Sequence, residues 1–275
     1  MNLRAGKFLI ALDRPRVMGI VNVTPDSFSD GGKFLSSDVA IAHARRLIED
    51  GADIVDIGGE STRPGALPAS LQEELDRVMP VLGTLVNDGV PVSIDTQKTE
   101  VMTAAIKAGA AMINDVNALL APGALAACAA SNVAVCLMHK QGTPATMQQA
   151  PKYADVVAEV AGFLAARSKA CLEAGIARER VVIDPGFGFG KTVEHNFRLL
   201  RELHTLVALG YPVLAGFSRK ASLGIVTGRP ADERLAASIV AAMLCAQNGA
   251  TILRVHDVRE TVDAIKVLMA ARNLT

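Results

Sequence analysis

Short apolar runs and longer amphipathic stretches alternate along this chain with little between them. Eight of the runs are brief and rich in β-branched residues, at 17–23, 53–57, 91–95, 111–115, 133–137, 181–184, 212–215 and 251–254. They are apolar almost throughout, as strands covered on both faces are. Helical patterns fill the gaps, among them SSDVAIAHARRLIEDGA, SLQEELDRVMPVLGTLV and YADVVAEVAGFLAARSKACLEAGI. Ser70, followed three residues later by Glu73, predicts a capping box at one helix start. Gly51, Gly109 and Gly249 each stand where a helical pattern gives way to the next strand, which predicts left-handed C-caps.

Eight strand-then-helix units in 275 residues, with no linker or break in composition, predict an α/β fold, a (β/α)8 TIM barrel forming one domain over residues 1–275. The competitor is an open doubly wound sheet, which would carry a glycine-rich phosphate fingerprint after its first strand. NVTPDSFSDGG stands there instead. PGFGFGKT at 185–192 imitates a nucleotide loop, but Pro185 takes the place of the first glycine of one such motif and Lys191 that of the last glycine of the other. A glycine-rich turn that lets the backbone approach a flat ligand fits better.

Composition narrows the partners. Lys plus Arg and Asp plus Glu both number 28, so no global charge suits nucleic acid or an anionic membrane, and the absence of Trp weakens base stacking. Cys128, Cys136, Cys171 and Cys245 are scattered in apolar stretches without metal-like spacing, which suits reduced core thiols in a cytoplasmic protein. The first sixteen residues lack the apolar core of a signal peptide, and LAASIVAAMLCAQNGA is too interrupted to span a bilayer.

In a barrel the active face lies at the C-terminal ends of the strands. Asn22, Asp56, Asp95, Asn114, Asp115, Met138, Asp184, Ser218 to Lys220, Arg254 and His256 fall there, and GGESTRPGA follows the second strand with Glu60, Thr62 and Arg63. Asp95, Asn114 and Asp184 are short hydrogen-bonding groups on strand ends, suited to the edge of a flat heterocycle bearing donors and acceptors. Arg63, Lys220, Arg254 and His256 are cationic or potentially so and suit phosphate. A structural ring of ion pairs is the alternative for the same set. Asp257, just before VRETV, reads as a helix cap.

NVTPDSFSDGG, GGESTRPGA, SIDTQK, IND, DPGFGFGK, SRK and RVHD occur in this order, each at an expected strand end. Together they resemble the motifs of the dihydropteroate synthases, over almost the whole chain. The resemblance implies a transferase of folate biosynthesis that joins 6-hydroxymethyl-7,8-dihydropterin pyrophosphate to para-aminobenzoate, with Mg²⁺ assisting and sulfonamides competing for the aminobenzoate place. It also implies a TIM barrel and a homodimer. Residue by residue, it implies pterin contacts at Asp95, Asn114, Met138, Asp184 and Lys220. Pyrophosphate contacts fall on Asn22, Thr62, Arg63, Arg254 and His256, with Asn22 nearest the metal. Phe28, Thr62, Pro64, Phe189, Ser218, Arg219 and Ser222 fall around aminobenzoate. Catalysis would rest on Lys220, Asp95, Asp184 and Arg63. Some relatives carry Ser directly after the SRK lysine, where this chain has Ala221 and then Ser222.

The expected route is dissociative: pyrophosphate leaves before the weakly nucleophilic arylamine attacks. The long loops at 21–32 and 58–66 would close over the departing group, with Gly31 and Gly32 as hinge and Phe28 and Pro64 as apolar walls. A pterin-binding methyltransferase barrel would share the Asp and Asn edge but not need the Arg254 and His256 anion end. A catalytically dead pterin-binding subunit would have no reason to keep the full set of polar strand ends.

Overall fold

The computed structural model describes residues 1–24, 33–61, 67–142, 147 and 151–273. Ten strands occur among them: β1 (Asn2–Ala5), β2 (Phe8–Ala11), β3 (Arg16–Asn22), β4 (Ile54–Gly58), β5 (Val92–Asp95), β6 (Met112–Asp115), β7 (Ala134–Met138), β8 (Val181–Asp184), β9 (Leu214–Ala215) and β10 (Ile252–Val255). The helices are α1 (Lys33–Glu49), α2 (Leu71–Asn87), α3 (Thr99–Lys107), α4 (Ala124–Ala129), α5 (Val156–Glu173), α6 (Val193–Arg201), α7 (His204–Val207), α8 (Ala221–Thr227), α9 (Leu235–Gln247) and α10 (Val258–Asn273).

Strands β3 to β10 form one parallel sheet in the order β8-β7-β6-β5-β4-β3-β10-β9. A parallel bridge between Ile183 and Val213, with Ile183 N–H donating to Pro212 O at 3.0 Å, joins its two ends into a barrel. All eight expected strands are therefore present, though the run at 212–215 keeps only two residues in regular pairing. Ser70 and Glu73 form the expected capping box. Gly51, Gly109 and Gly249 take positive φ angles of 101°, 97° and 98°.

Strand geometry sends alternate side chains to opposite faces. Val17, Val21, Ile57, Ile94, Ile113, Leu137, Ile183 and Leu253 point outward into one buried layer against the helices. Met18, Ile54, Met112, Ala134, Cys136, Val182, Leu214 and Ile252 form a second buried cluster within the barrel. Four inward rows continue, two residues at a time, to a polar group: Ile54 to Asp56, Met112 to Asn114, Val182 to Asp184, Ile252 to Arg254. The same parity gives Asp115 another role. It lies on the other face of β6, and its carboxylate accepts from the backbone N–H groups of Asn117 at 2.7 Å and Leu119 at 2.8 Å.

One element was not expected. The antiparallel hairpin β1-β2 places Leu3, Ala5 and Leu12 in the inner cluster, at the end of the barrel where the strands begin. Gly6 N–H donates to Asn132 O at 2.9 Å and fixes the hairpin tip. Each strand is four residues long and half its side chains face water, so its pattern is weak in sequence. The hairpin is a floor that closes the end opposite the polar rim. Leu3→Ala should therefore lower unfolding free energy by about 2–5 kcal/mol, the cost of a core cavity. Denaturant titration reads it, and a loss under about 0.5 kcal/mol would remove the hairpin from the core.

Candidate active site

The polar rim opens on a cavity of about 800 Å³. Asn22 of β3, Asp95 of β5, and Arg254 and His256 at the end of β10 line it. So do Phe189 from the loop after β8, Ser218, Arg219 and Lys220 from the β9-α8 turn, and Ser222 of α8. Asn114, Met138 and Asp184 are each 5% exposed and belong to the buried ground beside it. Phe28, Thr62, Arg63 and Pro64, and with them Gly31 and Gly32, lie outside the described residues.

Arg254 organises the centre. Its Nε donates to Asp56 Oδ2 at 2.6 Å and its Nη2 to Asp95 Oδ2 at 2.7 Å. Asn114 Nδ2 donates to the same Asp56 oxygen at 3.1 Å. Burial opposes the charge of Arg254, but Asp56 and Asp95 outweigh it and raise the guanidinium pKa. Asp95 and Asp184 are both pushed up by burial; Arg254 pulls Asp95 back, and the Gly186 N–H, donating at 2.7 Å, pulls Asp184 back. Lys220 moves the other way, lowered to about 8 by burial and then by Arg254, with Asp184 and Asp95 opposing. Its Nζ lies 4.2 Å from the centre of the Phe189 ring, a cation–π contact.

His256 changes character on burial. Desolvation, then the charge of Arg254, lowers it to about 3, so the ring is neutral at ordinary pH. Its Nδ1 pairs with Ser218 Oγ at 3.0 Å. It brings a hydrogen-bonding group rather than a charge to the anion end. Arg219 spends its guanidinium on Asp257, with Nε donating at 3.1 Å and Nη2 closer still. Asp257, expected as a helix cap, gives its carboxylate to that pair.

The sequence places Asp56 on the rim, whereas Lys191 and Asn196 do not stand out in it as site residues. Asp56 has no exposure and underlies Arg254. Lys191 is 2% exposed and donates to the carbonyls of His139 (3.2 Å), Gly186 (3.0 Å) and Phe189 (3.0 Å), with His139 Nδ1 also at 3.0 Å. It joins the loops after β7 and β8. Asn196 of α6 accepts from Gly188 N–H at 2.8 Å and donates to Ser222 Oγ at 2.9 Å, which orients the Ser222 hydroxyl beside the cavity. Lys98 bridges Glu60 and Glu74, and Gln97 donates to Glu60 at 2.8 Å, anchoring the segment after β4.

Comparison with known proteins settles the family. Residues 18–256 match the family described as pterin binding enzyme. Dihydropteroate synthase of Neisseria meningitidis serogroup B is 52% identical over 96% of this chain and 95% of its own. This chain belongs to the dihydropteroate synthase family. Xanthomonas albilineans dihydropteroate synthase with 4-aminobenzoic acid superimposes at a TM-score of 0.93, with 54% identity over 100% of this chain and 99% of that one. The same enzyme in complex with 7,8-dihydropteroate gives 0.92 and 52% over 100% of both chains. The family thus fits the barrel, its polar rim and the order of motifs along the chain. Among the described residues no helix is long and apolar enough to cross a membrane.

The buried histidine carries a sign that can be checked. An unfolded His takes up its proton near 6.5, whereas folded His256 holds off to about 3. The unfolded state therefore binds more protons in between, and stability falls as pH drops from about 6.5 toward 3. Imidazole NMR should find His256 neutral at pH 5, and a ring protonated at pH 6 would contradict its burial.

Proposed function

We propose that this protein condenses 6-hydroxymethyl-7,8-dihydropterin pyrophosphate with para-aminobenzoate, giving 7,8-dihydropteroate and pyrophosphate in folate biosynthesis. The observation that carries the reading is the shared cavity. Asn22 and Asp95 on strand ends stand with Arg254 in one cavity that Phe189, Ser218, Lys220 and Ser222 also line. A flat, guanidine-like heterocycle offers donors to Asp95, Asp184 and Asn114, and Met138 presents an apolar surface to its face. Lys220 lies beside the ring. Asn22, Arg254 and His256, with Thr62 and Arg63 beyond the described residues, take the pyrophosphate. Phe189, Ser218, Arg219 and Ser222, with Phe28, Thr62 and Pro64, surround aminobenzoate.

Breaking the C–O bond to pyrophosphate is the hard step, because arylamines are weak nucleophiles. Arg254 supplies fixed positive charge where the leaving oxygens gather it. Asp95 and Asp184, ionised against the ring edge, favour the cation left on the pterin methylene. The walls exclude water that would otherwise trap it. Among the described residues no cluster of three or more His, Cys, Asp or Glu could hold a metal. The donors instead suit an ion carried in with substrate. A side chain at Gly58 would lie 3.8 Å from Asn22 Oδ1 and 3.9 Å from Asp95 Oδ2, so those oxygens share a space the glycine leaves open. Magnesium keeps most of its shell as water and phosphate oxygen. Bound there, Mg²⁺ would neutralise charge on the pyrophosphate.

A sulfonamide of aminobenzoate shape competes for the Phe189 and Ser222 wall. We also take the protein as a single-domain, cytoplasmic homodimer. The four buried, unpaired cysteines support a reducing compartment, and the exposed Val240, Leu244 and Val267 of α9 and α10 support a covered apolar face.

Pterin pyrophosphate, aminobenzoate and Mg²⁺ supplied together should give dihydropteroate by mass spectrometry, and its absence would end the reading. Lys220→Ala should cut turnover by roughly two to three orders of magnitude, the scale of losing one preorganised stabilising group. Near-normal turnover would take Lys220 out of the mechanism. Labelled pterin pyrophosphate incubated without aminobenzoate should release pyrophosphate slowly; no release at all would favour concerted displacement.

A further inference from the structure

Inside α8 stands Gly224, a residue that costs a helix about 1 kcal/mol relative to alanine. Space explains its presence. A Cβ there would lie 2.1 Å from Arg234 Nη2 and 2.3 Å from Arg234 Cζ. Arg234, just before α9, runs its guanidinium through that gap. Its Nη1 donates to Arg219 O at 3.0 Å and to Lys220 O at 3.4 Å, and its Nε to Arg229 O at 2.9 Å.

The peptide it grips is unusual. Arg219 has a φ of 56°, a left-handed conformation that non-glycine residues seldom hold. Ser238 of α9 accepts from Arg219 N–H at 3.0 Å and donates to Arg234 O at 2.7 Å. Arg219 is thus held at its N–H by Ser238, at its carbonyl by Arg234 and at its side chain by Asp257. Strained residues persist where the surroundings over-determine them, and they gather at functional sites. The next residue is Lys220.

We propose that Arg234 is a positioning residue for Lys220, acting through the gap that Gly224 leaves open. The proposal rests on Lys220 taking part in the reaction. Arg234 does not wall the cavity. It acts on the Arg219–Lys220 backbone, whose left-handed turn aims the Lys220 stem along Gly188 and its ammonium over Phe189. A Cβ at Gly188 would lie 3.2 Å from Lys220 Cδ, so that stem has little room to find its place by itself.

Six variants of the full chain test this: Arg234→Ala, Gly224→Ala, the two together, Lys220→Ala, Arg234→Ala combined with Lys220→Ala, and Arg234→Lys. Circular dichroism and thermal midpoints monitor the fold. Arg234→Ala and Gly224→Ala should each lower kcat about 10- to 100-fold, the scale of a misplacement near 1 Å. Gly224→Ala displaces only the far end of a flexible side chain, so its fold should survive even where that of Arg234→Ala does not. In the Arg234→Ala background there is no guanidinium to displace, and Gly224→Ala should then cost nothing more. Arg234→Ala should likewise cost nothing more once Lys220 is gone. Arg234→Lys, keeping one donor, should recover part of kcat. Normal kcat in folded Gly224→Ala would overturn the proposal. So would multiplying effects of Arg234→Ala and Gly224→Ala, or a further loss on adding Arg234→Ala to Lys220→Ala. Normal turnover in Lys220→Ala alone would remove instead the role for Lys220 on which the proposal stands.

Discussion

The mouth of the barrel depends on one largely enclosed cation, its side chain 18% exposed. Arg254 sits between Asp56 and Asp95, partners 198 and 159 residues away in sequence, at 2.6 and 2.7 Å. A buried charge persists only when it is paired and hydrogen-bonded. That requirement ties β10 to β4 and β5 across the barrel, and Asn114 adds β6 through the shared Asp56 oxygen. Removing either acid would take one of its two partners from the guanidinium and leave the other to hold it alone, a loss bounded by the roughly 3–5 kcal/mol of a fully broken buried pair. The closed barrel and the charged centre are therefore one construction: the strands bring the charges together, and the charges fix the strand ends.

The neighbours of Arg254 register its presence and their own burial. Lys220 and His256 are both lowered, while Asp95 and Asp184 are raised. Each shift disfavours the charged form. Among the described residues Asp56 Oδ1 has no hydrogen-bond partner. On the proposed reading, a heterocycle edge rich in N–H donors would add partners to those Asp95 and Asp184 already have in Arg254 and the Gly186 N–H, and would favour their ionised forms.

Much of this was legible in the sequence, and the exceptions have physical causes. Short, almost wholly apolar runs and glycine stops place all eight barrel strands, because a strand covered on both faces is apolar throughout. The β1-β2 hairpin escapes this logic, being short and half exposed. Asp115 looks like its neighbour Asn114 in sequence, yet strand parity turns it to the other face, where it ties a loop. Asp56 shows the converse. The sequence places it on the active face and it has the inward parity of Asp95, but it pairs with Ser93, two residues below Asp95, and lies fully buried under Arg254. Histidine charge is invisible to sequence altogether: His256 looks like an anion ligand by type, and only burial shows that Arg254 carries the charge there.

The PGFGFGKT stretch, which imitates a nucleotide loop, owes its composition to packing. A Cβ at Gly186 would lie 1.9 Å from His139 O, and one at Gly190 would lie 2.3 Å from Gln141 O. Only glycine admits such approach, and both residues also take positive φ angles, 67° and 65°. Lys191 then satisfies three of the carbonyls that this crowding buries. Phe189 is fixed from that side by a lysine that also lines the cavity. Lys220 meets it from the other side, on a turn whose carbonyls are gripped by Arg234. The cation–π pair of Lys220 and Phe189 thus lies where two independently stiffened loops meet. Preorganised charge is effective because it does not have to reorganise as the reaction proceeds. In this barrel that stiffness comes from cations spent on backbone carbonyls, one on each side of the site.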